Sequence, residues 1–419
     1  MRYLLYTILI TMAAPLGAIY LLFSRKYRPL LRRFFPAVPA LVEGQLVWVH
    51  ACSVGEVFVA KVLIRGLREN VPSAEILLSV NTLSGLEIAR KTLPDVQITL
   101  APMDLGFTVR RFVKKIRPAI LVLLETELWP NLIRETRRQN VPVIVVNGRI
   151  SPGKFPRYRK YSWILPPVYS LLNHVAAQEE VYRRRFIALG VPEARVSITG
   201  NLKCDGVATE VSEDKRQALR KEYGFAVTDR IVVFGSTRPG DEALAYSCWE
   251  TLKYDYRDLK LVIAPRHLQR LEEGVEAFKG DRIILRSVML TGKRDPDARV
   301  LFLDTMGELA GMYSLCQAAV IGGSFFPGVE GHNPLEPAAL GVPTLFGPYM
   351  GNFPDAASLL IAAGGAFQLA SPEELAPFLK KLLDNPDLGI RTGQAGREAV
   401  IRNQGSVVRC VELIRGYLG

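Results

Sequence analysis

The sequence predicts an α/β protein in which two doubly wound parallel sheets follow an N-terminal membrane-spanning helix. Three observations support this prediction. The chain has 419 residues, which is more than one ordinary domain core accommodates. Short apolar runs alternate with helical patterns in two successive series, as in parallel sheets that are covered by helices. An apolar segment without charged residues precedes both series.

The composition is that of a folded protein with a strong positive charge. Hydrophobic residues make up 49% of the chain and charged residues 22%, which is typical of a globular protein. The chain has 53 Lys and Arg but 41 Asp and Glu, a net charge of +12. This surplus favours an anionic membrane or a phosphorylated substrate as partner, and a generally basic solvated surface is the alternative. No nucleic-acid-binding signature is present, so we predict no nucleic-acid partner.

The N-terminal segment is predicted to anchor the chain in a membrane. No charged residue lies between Tyr3 and Phe23, and a helix of that length at about 1.5 Å per residue spans roughly 31 Å. A dense block of basic residues follows, and positive charge is retained on the cytoplasmic side. We therefore expect a single-pass anchor over residues 1–24 and a cytoplasmic body. The alternatives are a cleaved signal peptide, which carries its basic residues before the apolar stretch, and a tilted or partly interfacial anchor.

The cysteines agree with a reduced, cytoplasmic compartment. The five cysteines are scattered along the chain and never occur as a Cys-x-x-Cys pair. This spacing argues against a disulfide framework and against a zinc site.

Two series of predicted strands define two domains, which we assign to residues 25–205 and 206–419. The polar, helical segment Val207–Gly224 is the predicted connector. Two Rossmann-like domains facing a cleft constitute the GT-B architecture, and ligands of such sheets bind beyond the carboxyl ends of the strands. The predicted strands are Leu46–His50, Ile76–Val80, Val96–Leu100, Ala119–Leu124, Val141–Val146, His174–Ala177, Arg230–Phe234, Lys260–Ala264, Arg282–Leu285, Val300–Leu303, Ala318–Ile321 and Thr344–Phe346.

Three polar motifs lie in the first domain, two of them after predicted strands and the third at the end of the domain. Glu56 lies in the first helical turn after the first strand, where a carboxylate can take a proton from a substrate hydroxyl or can simply interact with the helix dipole. Glu125 and Glu127 follow a later strand, and two carboxylates there are costly unless they are paired or used. The alternative is that Glu127 caps the next helix. Lys203 follows a Gly-Asn turn and supplies a cation, unless its side chain is solvated.

The second domain carries candidate phosphate contacts after successive strands. The turn with Ser236 and Arg238 has glycines and hydroxyls that suit a phosphate oxygen, and Arg266 offers a planar fork for the same group. The segment 305–309 opens a helix whose N-terminal amides suit phosphate. Glu336, in the first turn of a later helix, can accept both hydroxyls of a ribose, or can act as a helix-dipole partner alone. Several such signals at one sheet edge indicate a nucleotide site.

Four motifs occur in a fixed order along the chain: Ser53-Val54-Gly55-Glu56, Glu125-Thr126-Glu127-Leu128-Trp129-Pro130-Asn131, Gly307-Glu308-Leu309 and the segment Gly331–Pro343. In this combination they resemble the motifs of the 3-deoxy-D-manno-octulosonic acid (Kdo) transferase family, which are GT-B glycosyltransferases. The resemblance covers nearly the whole chain, including the apolar N-terminal segment.

The resemblance implies a reaction and a location. The donor is CMP-Kdo, and the acceptor is the lipid A precursor lipid IVA. The reaction inverts the anomeric configuration and begins the inner core of lipopolysaccharide at the inner membrane. No Asp-x-Asp metal motif is evident in a suitable loop, so we predict neither a metal nor another cofactor.

The resemblance also implies roles for individual residues. Glu56 is the general base, and Glu125 and Lys203 stabilise the transition state or position the acceptor. The implied CMP contacts are Pro265, Arg266, Met306, Gly307, Glu308, Asn333, Pro334, Leu335 and Glu336.

Basic residues of the first domain suit the two phosphates of the acceptor and an anionic membrane surface, although ordinary solvated helix faces are the alternative. They form two clusters, Arg110, Arg111, Lys114, Lys115 and Arg117, and Arg157, Arg159 and Lys160 with Tyr158 and Tyr161 interleaved.

Two other functions remain open at this point. One is a GT-B glycosyltransferase that uses a UDP-sugar on a membrane lipid. The other is a membrane-tethered nucleotide-binding module without enzymatic activity. The two carboxylate motifs of the first domain argue against the module, because binding a nucleotide requires neither of them.

Overall fold

Two parallel sheets form the framework of the chain, as the alternation of strand and helix patterns predicts. The computed structural model describes residues 2–37, 44–126, 128–151, 153–163 and 167–419. The predicted catalytic-motif residue Glu127 lies outside the described residues. The chain divides into one unit of Met1–Gly206 with Asn403–Gly419, and a second unit of Val207–Arg402.

The first sheet contains seven parallel strands, and its central strand is buried on both faces. Ile120 and Val122 of the central strand belong to one hydrophobic core, whereas Leu121 and Leu123 belong to the core on the other face. This explains why the strands are continuous apolar runs. The strands are β1 (Gln45–Ala51), β2 (Ala74–Val80), β3 (Gln97–Leu100), β4 (Ile120–Leu124), β5 (Val143–Gly148), β6 (His174–Ala177) and β7 (Val196–Ile198), in the spatial order β3-β2-β1-β4-β5-β6-β7.

Helices cover both faces of this sheet. They are α1 (Arg2–Phe23), α2 (Val54–Asn70), α3 (Leu83–Thr92), α4 (Gly106–Ile116), α5 (Pro130–Arg137), α6 (Phe155–Tyr161), α7 (Glu180–Ala188) and α8 (Leu202–Asp205). Short 3₁₀ helices occupy Arg28–Phe34, Tyr169–Leu171 and Glu193–Arg195.

The second sheet also has seven parallel strands. They are β8 (Arg230–Thr237), β9 (Leu259–Pro265), β10 (Ile283–Leu285), β11 (Val300–Phe302), β12 (Ala318–Ile321), β13 (Thr344–Phe346) and β14 (Ala366–Gln368), in the order β10-β11-β9-β8-β12-β13-β14. Every strand predicted from the sequence is present. Strands β7 and β14 were not predicted from the sequence, because their three residues show no readable period.

The helices of the second unit begin with α9, which lies inside the predicted connector. Ser212 caps its start and Gly224, in a left-handed conformation, ends it. The helices are α9 (Glu213–Tyr223), α10 (Asp241–Leu252), α11 (Leu271–Glu276), α12 (Arg286–Leu290), α13 (Leu309–Tyr313), α14 (Leu335–Ala339), α15 (Pro354–Ala362), α16 (Leu375–Asp384) and α17 (Pro386–Asn403), with 3₁₀ turns at Leu268–Arg270 and Pro372–Glu374.

The last helix, α18 (Ser406–Leu418), belongs to the first unit. Its apolar face, with Val411 and Ile414, is part of the same core as Leu63 of α2. The sequence analysis assigned residues 206–419 to one domain. The structure instead groups residues 403–419 with the first unit, because this apolar face covers the first sheet.

The N-terminal helix α1 is long and apolar enough to cross a membrane, with a mean hydropathy of 1.9 over its most apolar window. Its 22 residues span about 33 Å. A narrow stripe that includes Tyr3, Tyr6 and Thr7 is half-buried, and most other side chains are exposed. The Tyr6 hydroxyl donates to Asp104 Oδ2 (2.8 Å) and the Thr7 hydroxyl to Asn131 Oδ1 (2.8 Å). The helix is therefore compatible with the predicted anchor and also contacts the folded part of its unit.

Candidate active site

Glu56 lies at the carboxyl end of β1, where Ser53 caps α2. Its carboxylate accepts hydrogen bonds from the Ser53 hydroxyl (3.0 Å) and from the Cys52 amide (2.7 Å). In return, the Glu56 amide donates to Ser53 Oγ (3.3 Å), as in a capping box. The side chain is buried, with 6% of its surface exposed. The arrangement serves helix capping, and it also holds a carboxylate in one orientation at the edge where ligands of parallel sheets bind.

Glu125 and Lys203, which are 78 positions apart, meet in the structure. Glu125 follows β4, and its Oε1 lies 3.6 Å from Lys203 Nζ. Its Oε2 accepts a hydrogen bond of 2.8 Å from Arg149 Nε, directly after β5. The Lys203 side chain is 18% exposed, so the alternative of a solvated lysine is not supported. Two cations around one buried carboxylate leave a local positive charge, which suits an anionic group of a substrate.

The backbone at Glu125 is strained. Its φ angle is +54°, a left-handed conformation that side chains other than glycine rarely adopt. Such strain costs of the order of 1–3 kcal/mol and persists where the surrounding structure determines it. Here the ion pairs with Arg149 and Lys203 hold the carboxylate in place. Arg149 was not predicted from the sequence, although its position soon after the predicted strand Val141–Val146 was the available signal.

A buried histidine adjoins the Glu56 loop. The Ser79 hydroxyl accepts from Trp48 Nε1 (2.8 Å) and lies 2.9 Å from His50 Nδ1. The other ring nitrogen of His50, Nε2, faces Cys52 Sγ (3.5 Å). Burial, followed by the nearby Arg33 guanidinium, lowers the pKa of His50 to about 3. The imidazole is thus neutral at physiological pH.

The neutral state of His50 predicts a pH dependence of stability. Because the folded pKa lies below the unfolded value of about 6.5, the unfolded chain binds the extra proton, and stability falls as the pH decreases below 6.5. Between pH 7.5 and 5.5 the free energy of unfolding of the wild type should fall by about 1.4 kcal/mol more than that of His50→Asn. Urea unfolding of both proteins at both pH values measures this difference. An equal loss in the two proteins would show that folding does not lower the pKa of His50.

In the second unit, Asp241 fixes the loops after β8 and β12. Its Oδ2 accepts from the backbone amides of Arg238 (2.8 Å) and Gly323 (2.6 Å). Burial raises the pKa of Asp241 to about 6. Ser236 has a φ of +58°, and a Cβ on Gly322 would lie 2.4 Å from the Ser236 carbonyl oxygen. The glycine therefore permits the two loops to approach each other closely.

A group of basic side chains lies beyond these loops, namely Arg238, Arg266, His267 and His332. The pKa of His332 is lowered to about 4, mainly by burial and then, in decreasing order, by Arg266, Arg238 and His267. Within the described part of the chain, the buried atoms His332 Nε2 and Arg238 Nε have no hydrogen-bond partner. Buried polar atoms normally have partners, so this basic group indicates an anionic ligand. The sequence analysis placed His332 in a motif but gave it no role.

Glu336 lies in the first turn of α14, close to Asn333. The Asn333 amide group donates to Glu336 Oε1 (3.2 Å), and Asn333 Oδ1 accepts from the Leu335 amide (3.1 Å). Pro334 stands between them as the residue that precedes the helix. Burial raises the pKa of Glu336, with the Asn333 hydrogen bond and Arg266 acting in the opposite direction. The predicted ribose contact is thus a partly buried carboxylate of fixed orientation.

The other predicted donor contacts occupy two further strand ends. Pro265 is the last residue of β9. The Glu308 carboxylate accepts from Arg286 (2.7 and 3.0 Å) and from the Thr305 hydroxyl, so it is engaged within the protein. Met306, 71% exposed, and Gly307, with a φ of +89°, precede it in an open loop. The backbone and the Met306 side chain are therefore the accessible parts of this segment.

An open basic groove of 770 Å³ lies between α4 and α5 of the first unit. Phe107, 55% exposed, lies at its edge, and Thr7 of α1 lies close to Gly106. The groove is lined by Gly106, Phe107, Arg110, Arg111, Lys114, Lys115, Glu135 and Arg138. The first predicted basic cluster thus contributes most of one surface. Across the described residues, no group of three or more His, Cys, Asp or Glu side chains is arranged to hold a metal ion.

The fold and the strand-end sites define the class of protein. The fold is similar to that of Acinetobacter baumannii MurG, with a TM-score of 0.57 and 15% identity over 89% of this chain and 100% of that chain. It is also similar to S. aureus MnaA in its co-structure with UDP, with a TM-score of 0.55 and 14% identity over 89% of this chain and 97% of that chain. The chain therefore has the GT-B fold.

The sequence comparisons identify the family. Residues 28–206 match the family model described as 3-deoxy-D-manno-octulosonic-acid transferase (kdotransferase). The chain is 31% identical to the 3-deoxy-D-manno-octulosonic acid transferase of Haemophilus influenzae, over 99% of this chain and 98% of that protein. It is 28% identical to the protein of the same name from Chlamydia trachomatis, over 74% of this chain and 71% of that protein. The chain belongs to the Kdo transferase family, which confirms the resemblance. It is a glycosyltransferase that transfers Kdo in lipopolysaccharide synthesis.

Proposed function

We propose that the protein is an inverting glycosyltransferase that moves Kdo from CMP-Kdo to the lipid A precursor lipid IVA. The observation that carries the proposal is the basic group around His332, whose buried donors lack partners within the described residues. Family membership supplies the sugar, and this basic group supplies a reason for a phosphate-bearing donor. No metal or other cofactor enters the proposed reaction.

The donor binds the second unit in this proposal. Arg266, Arg238 and His332 contact the phosphodiester of the donor, because charged and neutral N–H donors both suit its oxygens. The Glu336 carboxylate accepts the ribose hydroxyls, and Asn333 holds it in position. The exposed loop at Met306 and Gly307 contacts the base or the ribose. Ser236, with its left-handed backbone, completes the turn beside the phosphate.

The reaction is a direct displacement in which the acceptor hydroxyl attacks the anomeric carbon as the bond to CMP breaks. The phosphate of CMP gains negative charge, which Arg266 and the neighbouring donors stabilise. The sugar gains positive charge, which its own carboxylate partly balances, and the cations Arg149 and Lys203 around Glu125 hold that carboxylate in place. Glu56 takes the proton from the acceptor hydroxyl. A single displacement inverts the configuration at the anomeric carbon.

The acceptor and the membrane meet the first unit in this proposal. The basic groove between α4 and α5 suits the two phosphates of lipid IVA, because several Lys and Arg side chains line it. The exposed apolar surface of α1 suits the lipid bilayer. We therefore propose a single-pass inner-membrane protein with its body in the cytoplasm. Residues 25–205 are the proposed acceptor domain, and most of 206–419 is the donor domain.

Arg266→Ala is expected to weaken donor binding. A hydrogen bond to a charged group contributes roughly 1.5–3 kcal/mol, so the KM for CMP-Kdo should rise about 10- to 150-fold while the KM for the acceptor stays nearly constant. Steady-state kinetics with each substrate varied in turn provide the measurement.

Arg282→Ala is the matched control for Arg266→Ala. Arg282 is also an exposed arginine of the second unit, but it precedes β10 instead of following a strand. It lies at the amino end of the sheet and should not affect the KM for the donor. An unchanged KM and kcat for CMP-Kdo in Arg266→Ala would show that Arg266 does not contact the donor.

A transfer assay tests the proposed function as a whole. The full chain in detergent or vesicles is incubated with CMP-Kdo whose Kdo group is radiolabelled and with lipid IVA as acceptor. The radioactivity of the lipid fraction is then measured. The expected result is label in the lipid that requires both substrates. Turnover with a UDP-sugar and none with CMP-Kdo would favour the other GT-B function. Binding of CMP without any transfer would favour a nucleotide-binding module.

A further inference from the structure

Arg33, in the segment that follows α1, points into the first unit. The sequence places it in the basic block that flanks the membrane, where a solvated side chain is expected. In the structure its guanidinium donates to the Ala101 carbonyl (3.1 Å) and to the Asn81 side-chain oxygen (2.7 Å). Burial lowers the pKa of Arg33, and nearby Cys52 and Asp104 act in the opposite direction. Arg33 is therefore bound at the ends of β2 and β3 instead of facing solvent.

The backbone around Arg33 is fixed to the same part of the unit. The Met103 amide donates to the Arg33 carbonyl oxygen (2.8 Å), and the Thr108 hydroxyl donates to the carbonyl oxygen of Phe34 (3.3 Å). The segment is thus attached to the residues that follow β3. A side chain on such a fixed backbone can hold its neighbours in one position.

Asn81 connects Arg33 with the loop that carries the candidate base. Asn81 is buried and follows β2, next to the end of β1 in the parallel sheet. Its oxygen accepts from Arg33, and its amide nitrogen donates to Cys52 Sγ. The Cys52 backbone amide in turn donates to Glu56 Oε2 (2.7 Å). The Arg33 guanidinium fixes the orientation of the Asn81 amide group, because the cation attracts the amide oxygen. The amide nitrogen therefore faces Cys52 Sγ.

We propose that Arg33 is a positioning residue for Glu56, and that it acts through Asn81 and Cys52. The proposal rests on the proposed role of Glu56 as general base. Without the guanidinium, the Asn81 amide group loses its preferred orientation, and the Cys52 loop loses one of its contacts. The Glu56 carboxylate then samples positions from which proton transfer is slower, since small displacements of a catalytic group have large effects on rate.

Arg33→Met in the full chain tests the proposal, because methionine fills the space of the side-chain stem but removes every donor. We expect kcat to fall by about 10- to 100-fold, with the KM for CMP-Kdo within about twofold. Arg32→Met is the matched control. Arg32 is the exposed neighbour in the same 3₁₀ helix. Its replacement changes the charge of the basic block by the same amount and should leave kcat unchanged.

Double variants separate positioning from a general structural effect. If Arg33 acts through Asn81, then Asn81→Leu should lower kcat to a similar extent, and the Arg33→Met/Asn81→Leu protein should be little worse than either single variant. In a Glu56→Gln background, Arg33→Met should lower kcat by less than about threefold, because there is no base left to position. If Arg33→Met does not fold, Arg33→Lys replaces it in the same double-variant comparisons. Lysine keeps the positive charge and one direction of hydrogen-bond donation.

The outcomes distinguish this inference from the proposed function. A strongly impaired Glu56→Gln protein that loses a further 10-fold or more on Arg33→Met would overturn the positioning role and leave the base in place. An unchanged kcat in Arg33→Met would also overturn it. A Glu56→Gln protein with normal turnover would contradict the proposed base itself, and Arg33 would then have no catalytic group to position.

Discussion

Glu56→Gln should lower the rate of Kdo transfer by about 10²–10⁴-fold, the usual contribution of general base catalysis. The glutamine oxygen can accept from the Cys52 amide, and its amide group can donate to Ser53 Oγ, so both positions of the carboxylate remain hydrogen-bonded. Folding and CMP binding should therefore be retained. The change removes the ability to accept a proton. Single-turnover transfer to lipid IVA, with CMP affinity measured in parallel, gives both quantities.

The alternative for Glu56 is a purely structural cap. In that case Glu56→Gln costs roughly a few tenths of a kcal/mol in stability and changes the rate little. Glu69→Gln is the control, because Glu69 lies on the same helix but is exposed, in an ion pair with Arg65. Near-normal transfer by Glu56→Gln would move the base to Glu125 or Glu127, and the same substitution at each of them would be the next measurement.

The strands were predictable because each is a local property of the chain. Val47 and Trp48 face different cores, yet both are apolar, so β1 appears in the sequence as one uninterrupted run. The helix α18 is equally readable as a helix. Which sheet it covers depends on contacts with α2, more than 300 positions earlier, and no local period contains that information.

The same distinction applies to the candidate site. Glu125 was identified because it follows a predicted strand, and such strands end at the edge where ligands bind. Lys203 was identified from the Gly-Asn turn that precedes it, whereas the strand before that turn, β7, was not predicted. Arg149 belongs to no motif, and its role emerges from its 2.8 Å contact with Glu125. Arg33 was assigned to the membrane-flanking block by its charge, whereas its direction is set by the Asn81 oxygen. Sequence position thus indicates which edge a residue occupies, and side-chain partners indicate what it does there.

Lys203→Met should lower kcat for Kdo transfer by about 10²–10³-fold, the usual loss when one preorganised electrostatic group is removed. The methionine retains the apolar stem, and Arg149 still pairs with Glu125, so the buried carboxylate keeps a partner. The free energy of unfolding should therefore fall by less than the roughly 3–5 kcal/mol that a buried pair costs when one charge is left unpaired. The expected signature is a large loss of kcat in a protein that still unfolds cooperatively.

Lys253→Met is the matched control for Lys203→Met, because it separates the loss of a buried lysine from the loss of this particular charge. The Lys253 side chain is 15% exposed, compared with 18% for Lys203, and it also forms ion pairs, with Asp281 (3.2 Å) and Glu250. It lies in the second unit, away from the proposed donor contacts, so its replacement should leave kcat unchanged. If Lys203→Met loses stability but keeps its rate, the Glu125–Lys203 pair only supports the strained turn after β4. A loss of rate in Lys203→Met alone assigns that charge to the reaction, because both variants remove one partly buried, ion-paired cation.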